Sequence, residues 1–291
     1  MVQTEIFEQP AFEDYELIDS GNGRKLERFG HRILDRPDPQ ALWEPSSSES
    51  WERADLRFER ESDRGGRWER PSRTVARPTE AQWPVTFGEA RLLIRPTPFK
   101  HVGLFPEQAS NWVWVADELG RMGERPRLLN LFGYTGAGSV LAAKAGARVT
   151  HVDASRTTLA WVRENLELSG LPADGIRIVL EDALRFVRRE VRRGARYSGI
   201  LIDPPHYGRG PKGERWRFEF DIQALIREAS KLLAENSFLV LSTYAIGFSP
   251  LSLYGLLAEL EGGRVRTGEL ALVETRGGRL LSCGFCARWQ R

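Results

Sequence analysis

Cysteine is nearly absent from this 291-residue chain: Cys283 and Cys286 are the only two. One pair cannot build a disulfide framework, so the fold must rest on a hydrophobic core, and the composition suits a reducing compartment. Two thiols without further ligands do not make a zinc site, and no metal is expected. Long apolar runs are missing as well. No stretch approaches the ~20 residues that span a bilayer, which argues against a membrane role. Residues 1–10, MVQTEIFEQP, are acidic and lack the apolar centre of a secretory signal. The expected location is the cytoplasm. Net charge is also small: 42 Lys plus Arg, overwhelmingly Arg, face 40 Asp plus Glu, for a formal +2. That balance alone identifies no polyanionic partner.

What is present divides into two parts. To about residue 95 the chain reads as β-rich. Short alternating segments at 15–19 and 31–34 are broken by turn signals, Gly21-Asn22-Gly23 among them as a hairpin turn and residues 36–39 as another. Residues 46–77 are polar, and Trp43, Trp51, Trp68 and Trp83 punctuate the region. These tryptophans could anchor a surface layer, or with the arginines could form a face on which bases stack. Further strands are expected at 85–88, at 91–95 and in the segment through Leu104. A helix should follow Gln108, with Trp112, Val115 and Leu119 at helical spacing, and end in the turn at 122–126.

From residue 127 strands and helices alternate. Strands are expected at 127–132, 148–152, 176–180, 197–202 and 238–241. Helices are expected at 138–144, 155–169, 183–192 and 220–234. This is the βα repeat of a Rossmann-like, doubly wound, mostly parallel sheet. The tail departs from it: after a helix at 251–260, strands at 268–274 and 280–287 are joined by a turn at 275–278 too short for a crossover helix, so the pair should be antiparallel. The expected organisation is a smaller β-rich N-terminal domain, 1–95, with a possible substrate- or RNA-binding role, and an α/β catalytic domain, 96–291.

Open α/β sheets bind ligands at the carboxyl ends of their strands. After the first such strand come Asn130, Phe132, Gly133, Tyr134, Thr135 and Gly136, a glycine loop that lets the backbone approach a ligand. After the second comes Asp153, followed by Ala154 and Ser155; an acid at this distance can accept ribose hydroxyls, or can cap the next helix. Loop and acid together imply an adenosine-containing ligand. After the third come Glu181, Asp182 and Ala183, with Asp182 also a candidate N-cap. The fourth strand ends in Asp203-Pro204-Pro205-His206-Tyr207. Two prolines there fix the backbone and remove two donors, which suits a methyl acceptor held beside a sulfonium and has no use in a dinucleotide oxidoreductase. The glycine-rich segment 208–215 reads as a flexible substrate loop, with Arg209, Lys212 and Arg215 available for phosphates.

The Asn130-Leu-Phe-Gly-Tyr-Thr-Gly and Asp203-Pro-Pro-His-Tyr-Gly-Arg-Gly-Pro-Lys-Gly-Glu motifs resemble those of class I S-adenosylmethionine (SAM) dependent methyltransferases, in the group of the bacterial large-subunit (23S) rRNA enzymes. The resemblance covers residues from about 85 to the end. It implies SAM as cofactor, S-adenosylhomocysteine as product, RNA as substrate, and Phe105, Glu107 and Gln108 as cofactor neighbours beside the strand-end residues. Members that methylate cytosine C5 need a cysteine nucleophile. This chain has Ser242-Thr-Tyr-Ala245 after the fifth strand, and Cys283 and Cys286 lie in the last strand, so a covalent C5 route is not expected.

The expected mechanism is direct in-line transfer, with Asp203 orienting the nucleophile or accepting its proton, the Pro204 and Pro205 carbonyls holding an exocyclic amine, Tyr207 stacking on a base, and His206 beside it. A nitrogen target fits this best. Two other readings stay open: a methyltransferase acting on protein or a small molecule, and a non-catalytic nucleotide-binding module or NAD-dependent oxidoreductase. Monomer and homodimer are equally compatible with the sequence.

Overall fold

The structure, a computed structural model, describes residues 2–62, 65–71, 81–244 and 247–291. Residues 63, 64 and 72–77 of the expected polar segment, and Ala245, lie outside them. The chain forms two compact units, one of residues 1–7, 108–270 and 284–291, the other of residues 8–107 and 271–283. The division thus falls at 107/108 instead of 95/96. Residues 271–283, the facing ends of the last two strands with the turn between them, cluster with the β-rich part.

The β-rich unit follows β1 (Thr4–Glu8). It holds β2 (Tyr15–Gly21), β3 (Arg24–Phe29), β4 (Arg32–Pro37), the single turn α1 (Ser48–Trp51), β5 (Leu56–Ser62), β6 (Gly65–Glu69), β7 (Trp83–Phe87) and β8 (Ala90–Ile94). The five strands β2 to β6 make one sheet in sequence order, and β7 and β8 make a separate antiparallel pair; the strand expected through Leu104 does not form, since β8 ends at Ile94 and the chain runs on without a strand to Gln108. The β2–β3 hairpin closes through Asn22 and Gly23, both at positive φ (50° and 72°), as a tight two-residue turn demands. The turn expected at 36–39 begins later, because β4 keeps its pairing with β3 through Pro37. All four tryptophans of this region spend their indole N–H inside the unit: Trp43 on the Ser20 carbonyl, Trp51 on Asp19, Trp68 on the Thr97 carbonyl, Trp83 on the Phe29 carbonyl. They anchor the layer.

This unit also buries charge. Glu27 accepts two bonds from Arg36, at 2.7 and 2.9 Å, and one from the Tyr15 hydroxyl at 2.9 Å, and Lys25 lies between Glu27 (3.6 Å) and Asp38 (3.3 Å). Burial pushes the Glu27 carboxyl up, but Arg36 and Lys25 outweigh it and hold the group below its ordinary range. Asp19 and Glu274 are similarly met by Arg279, at 3.0 and 2.7 Å.

The other unit opens with α2 (Ala109–Arg121). There follow β9 (Arg127–Leu131), α3 (Ala137–Lys144), β10 (Arg148–Asp153), α4 (Arg156–Leu168), β11 (Ile176–Leu180), α5 (Ala183–Arg192) and β12 (Tyr197–Ile202). Then come β13 (Tyr207–Arg209), β14 (Arg215–Arg217), α6 (Phe218–Ser230), β15 (Leu233–Thr243), α7 (Pro250–Ala258), β16 (Arg264–Val273) and β17 (Leu280–Gln290). The eight-stranded sheet runs β1-β16-β17-β15-β12-β9-β10-β11. Strands β15, β12, β9, β10 and β11 are parallel, and β17 is antiparallel to β15. The architecture is thus the expected Rossmann-like, mostly parallel sheet with an antiparallel C-terminal pair. Strand β1 was not anticipated. Its seat depends on Gly268, where a Cβ would lie 2.0 Å from the Glu5 carbonyl oxygen. Leu129, Leu131, Ile200, Ile202, Leu239 and Leu241 carry the sheet's contribution to the core, against Phe186, Ile222 and Leu225 of the helices.

Candidate functional site

Strand register builds the site. Val152, Leu131, Ile202 and Leu241 stand in one row across β10, β9, β12 and β15. The next residue of each strand or loop, namely Asp153, Phe132, Asp203 and Ser242, therefore forms the rim at the carboxyl ends. Order reverses between β9 and β12, the switch point at which such sheets open a crevice. The glycine loop and the Asp203-Pro204-Pro205 segment leave from these two strands.

The glycine loop is held in an unusual conformation. Phe132 and Tyr134 have φ of 56° and 52° and Gly136 of 89°. Left-handed backbone at two aromatic residues costs about 1–3 kcal/mol each and persists where surroundings enforce it. Here they do: Gly133 N–H donates to the Val152 carbonyl at 3.1 Å, Tyr134 N–H to Asp153 Oδ2 at 3.0 Å, and the Phe132 ring packs on Trp216 at 4.8 Å. Beneath the loop, Asn130 donates to Ser139 Oγ at 2.9 Å, and Ser139 meets His151 Nδ1 at 2.9 Å. A Cβ on Gly133 would lie 2.3 Å from that imidazole, so only glycine fits. Burial drives the His151 pKa down to about 4, which keeps the ring neutral. Asn130 and Thr135 are buried supports of the loop: Asn130 is spent on Ser139, and the Thr135 carbonyl on Asn165 at 2.9 Å.

Asp153 accepts from Ser155 N–H (2.8 Å) and the Thr158 hydroxyl (3.0 Å) on one oxygen and from Tyr134 N–H on the other. Burial nonetheless raises its carboxyl above the ordinary range. A carboxylate offers about four acceptor sites, so Asp153 has capacity left for a hydroxyl donor. Ser155 is the N-cap of α4, as its position predicts. At the third strand end Asp182 is the N-cap of α5, its side chain accepting from Arg185 N–H, and Ala183 opens that helix. Glu181 pairs with Arg189 and, at 3.7 Å, with Arg185.

Asp203 is oriented from α2. Gln108 donates to Asp203 Oδ2 at 3.1 Å and to the Tyr244 hydroxyl at 3.0 Å. Asn111 donates to Gln108 Oε1 at 2.7 Å and to Ser242 Oγ at 3.3 Å. Asn111 Oδ1 in turn accepts from Arg288 (2.9 Å) and from the Cys286 thiol (3.3 Å). None of Asn111, Ser242, Tyr244 and Arg288 carries a local motif, and sequence reading missed them. Cys286 is a buried, hydrogen-bonded thiol in this network, and burial raises its pKa. Pro204 is buried; the Pro205 carbonyl receives the Trp216 indole N–H at 2.8 Å, so of the two proline carbonyls expected to hold an amine, this one already has a donor.

The segment expected to be a flexible loop is a two-stranded antiparallel ribbon, β13–β14. His206, Tyr207, Arg209, Lys212 and Arg215 are all exposed on or beside it. Glu214 accepts the Lys212 backbone N–H at 2.8 Å and lies 3.5 Å from Arg185. Phe105 and Glu107 belong to the β-rich unit. There the Phe105 ring meets His101 edge-on at 5.3 Å, and Glu107 is buried with Oε2 lacking a hydrogen-bond partner among the described residues; burial raises its pKa. Among the described residues no three His, Cys, Asp or Glu are grouped to hold a metal, and no helix is long and apolar enough to cross a membrane.

Comparison with known proteins agrees with this geometry. The family described as conserved hypothetical protein 95 matches residues 108–245. A SAM-dependent methyltransferase from Agrobacterium tumefaciens is 39% identical, covering 100% of this chain and 97% of its own, with a TM-score of 0.93. SMU.776, complexed with S-adenosylhomocysteine, shares the fold at 18% identity, a TM-score of 0.72 and coverage of 96% and 75%. The protein aTrm5, in complex with tRNALeu, shares it at 12% identity, a TM-score of 0.54 and coverage of 96% and 72%. The glycine cradle at Gly133 and the remaining acceptor capacity of Asp153 suit a nucleoside bearing a ribose. The chain belongs to the class I SAM-dependent methyltransferases, with SAM as its cofactor.

Proposed function

We propose that this methyltransferase acts on RNA, ribosomal RNA foremost, by direct in-line transfer to a nitrogen. The observation that carries the reading is Asp203: a carboxylate at the switch point, its Oδ2 tied to Gln108, followed by two prolines and an exposed aromatic–basic ribbon. When bound, SAM supplies an electrophilic methyl group. Asp153 takes the ribose hydroxyls, the loop from Phe132 to Gly136 lines the nucleoside, and Ala154, Glu181 and Asp182 flank its base. Phe105, Glu107 and Gln108 are assigned as further cofactor neighbours.

Asp203 orients the acceptor amine and takes its proton. The Pro204 carbonyl accepts the amine's second hydrogen, with the Pro205 carbonyl shared with Trp216. Tyr207 stacks on the base, with His206, Arg209, Lys212 and Arg215 holding the surrounding phosphates. Proximity and orientation supply most of the acceleration. The tRNA complex of aTrm5 supports the substrate class, since that protein shares this fold. The β-rich unit is the proposed substrate-recognition module. A cytoplasmic location belongs to the same reading and is supported by the two free thiols.

The test is transfer of labelled methyl from SAM to ribosomal RNA lacking this modification, with cell protein and small-molecule extracts in parallel. Label in RNA supports the reading, and nuclease digestion then names the atom. Label confined to protein or small molecules contradicts it.

A further inference from the structure

The β13–β14 ribbon has two unlike faces. Tyr207 stands opposite Arg217, and Arg209 opposite Arg215, while Gly208 stands opposite Trp216. Alternation sends the first four side chains to one face and Trp216 to the other. Trp216 is buried against Phe132 and bonds the Pro205 carbonyl, which locks the ribbon to the rim. The four outward residues are exposed.

That outer face concentrates positive charge, and Arg209 also donates to the Tyr207 hydroxyl at 3.3 Å. Like charges directly opposite on paired strands repel, and Arg209 and Arg215 are so placed. Over residues 207–217 four cations, Arg209, Lys212, Arg215 and Arg217, meet one carboxylate, Glu214, which is turned to the Lys212 backbone and Arg185. Aromatic surface adjoins the charge. Tyr207 and Phe220 are 50% and 67% exposed, and they are the only aromatics among the exposed large hydrophobic residues described in this unit. Arg217 connects them, opposite Tyr207 across the ribbon and with its guanidinium 5.4 Å from the Phe220 ring centre. Neither ring has a role in the core.

A row of ring, guanidinium and ring beside two arginines in facing register matches an alternation of base faces and phosphates. We propose that Arg217 and Phe220, with Arg209 and Arg215, continue from Tyr207 on the methylated base as a docking strip for the unpaired nucleotides of single-stranded RNA that flank it. Stacking needs splayed bases, which a duplex does not offer. This rests on RNA being the substrate, and it adds Arg217 and Phe220 to the residues that hold it.

The experiment is fluorescence anisotropy of the full chain with a labelled single-stranded RNA of mixed sequence and with the same sequence as a duplex, across a salt series. Phe220→Ala is expected to weaken single-strand binding roughly 5- to 150-fold, the range for loss of one stacked base. The slope of log K against log salt should not change. Arg209→Gln with Arg215→Gln should reduce that slope by roughly 1.4, two phosphates at about 0.7 each. Duplex binding should be insensitive to Phe220→Ala. SAM binding, measured on every variant, reports intact folding. Wild-type single-strand affinity and slope in all variants would overturn the strip while leaving RNA as substrate. No RNA binding by the wild-type chain would overturn both.

Discussion

Gln108 donates its amide N–H to Asp203 Oδ2 at 3.1 Å, and the direction of that bond is set two side chains away. Arg288 can only donate, so the Asn111 oxygen must face it. The Asn111 NH2 then faces Gln108 Oε1, and the Gln108 NH2 faces Asp203. Gln108→Leu should lower kcat about 10- to 100-fold, the cost of a buried polar group losing its partner, and, because Gln108 is also assigned beside the cofactor, it should weaken SAM binding by a smaller factor. Arg288→Met should act in the same direction through Asn111. Steady-state kinetics with a binding titration checks both.

Gly133→Ala should weaken SAM binding by displacing the loop, because the new methyl would lie 2.3 Å from the His151 ring. Adding His151→Ala should restore part of the affinity by removing the obstructing atoms. Equilibrium dialysis with labelled SAM measures each.

His151 makes stability fall with acid. Its folded pKa is about 4, against an unfolded value near 6.5. Between those values the unfolded chain binds more protons, so stability is lost as pH falls through that window, by roughly 3 kcal/mol in full. Above 6.5 the group has no effect. Urea midpoints at several pH values should show a shallower decline in His151→Asn than in the wild type.

Glu27→Gln should destabilise the β-rich unit by about 3–5 kcal/mol, since Arg36 and Lys25 would remain buried without their carboxylate. Denaturant unfolding of the full chain, followed by the near-ultraviolet signal, reads this loss.

The α/β repeat was legible because buried parallel strands are short apolar runs separated by amphipathic helices. The strand-end residues followed from topology alone: Phe132, Asp153 and Asp203 fall on one rim once the strands are in register. The ribbon was not legible. Its strands have three residues each, too few to show a period, and Gly208, Gly210 and Gly213 read as flexibility. Seen in the structure, Trp216 fixes it. The Gln108–Asn111–Arg288 chain was hidden for another reason: its members are up to 180 positions apart in sequence, and only the placement of β17 beside β15 brings them together. The return of residues 271–283 to the β-rich unit was equally invisible, because a turn's sequence does not reveal which core covers it.

The most direct measurement compares wild type with Asp203→Ala, reading SAM affinity and transfer of labelled methyl to unmodified ribosomal RNA on the same preparations. The expected result is near-equal SAM affinity, label in RNA from the wild type, and none from the variant. Turnover by Asp203→Ala at the wild-type rate, or wild-type label found only outside RNA, would contradict the central claim.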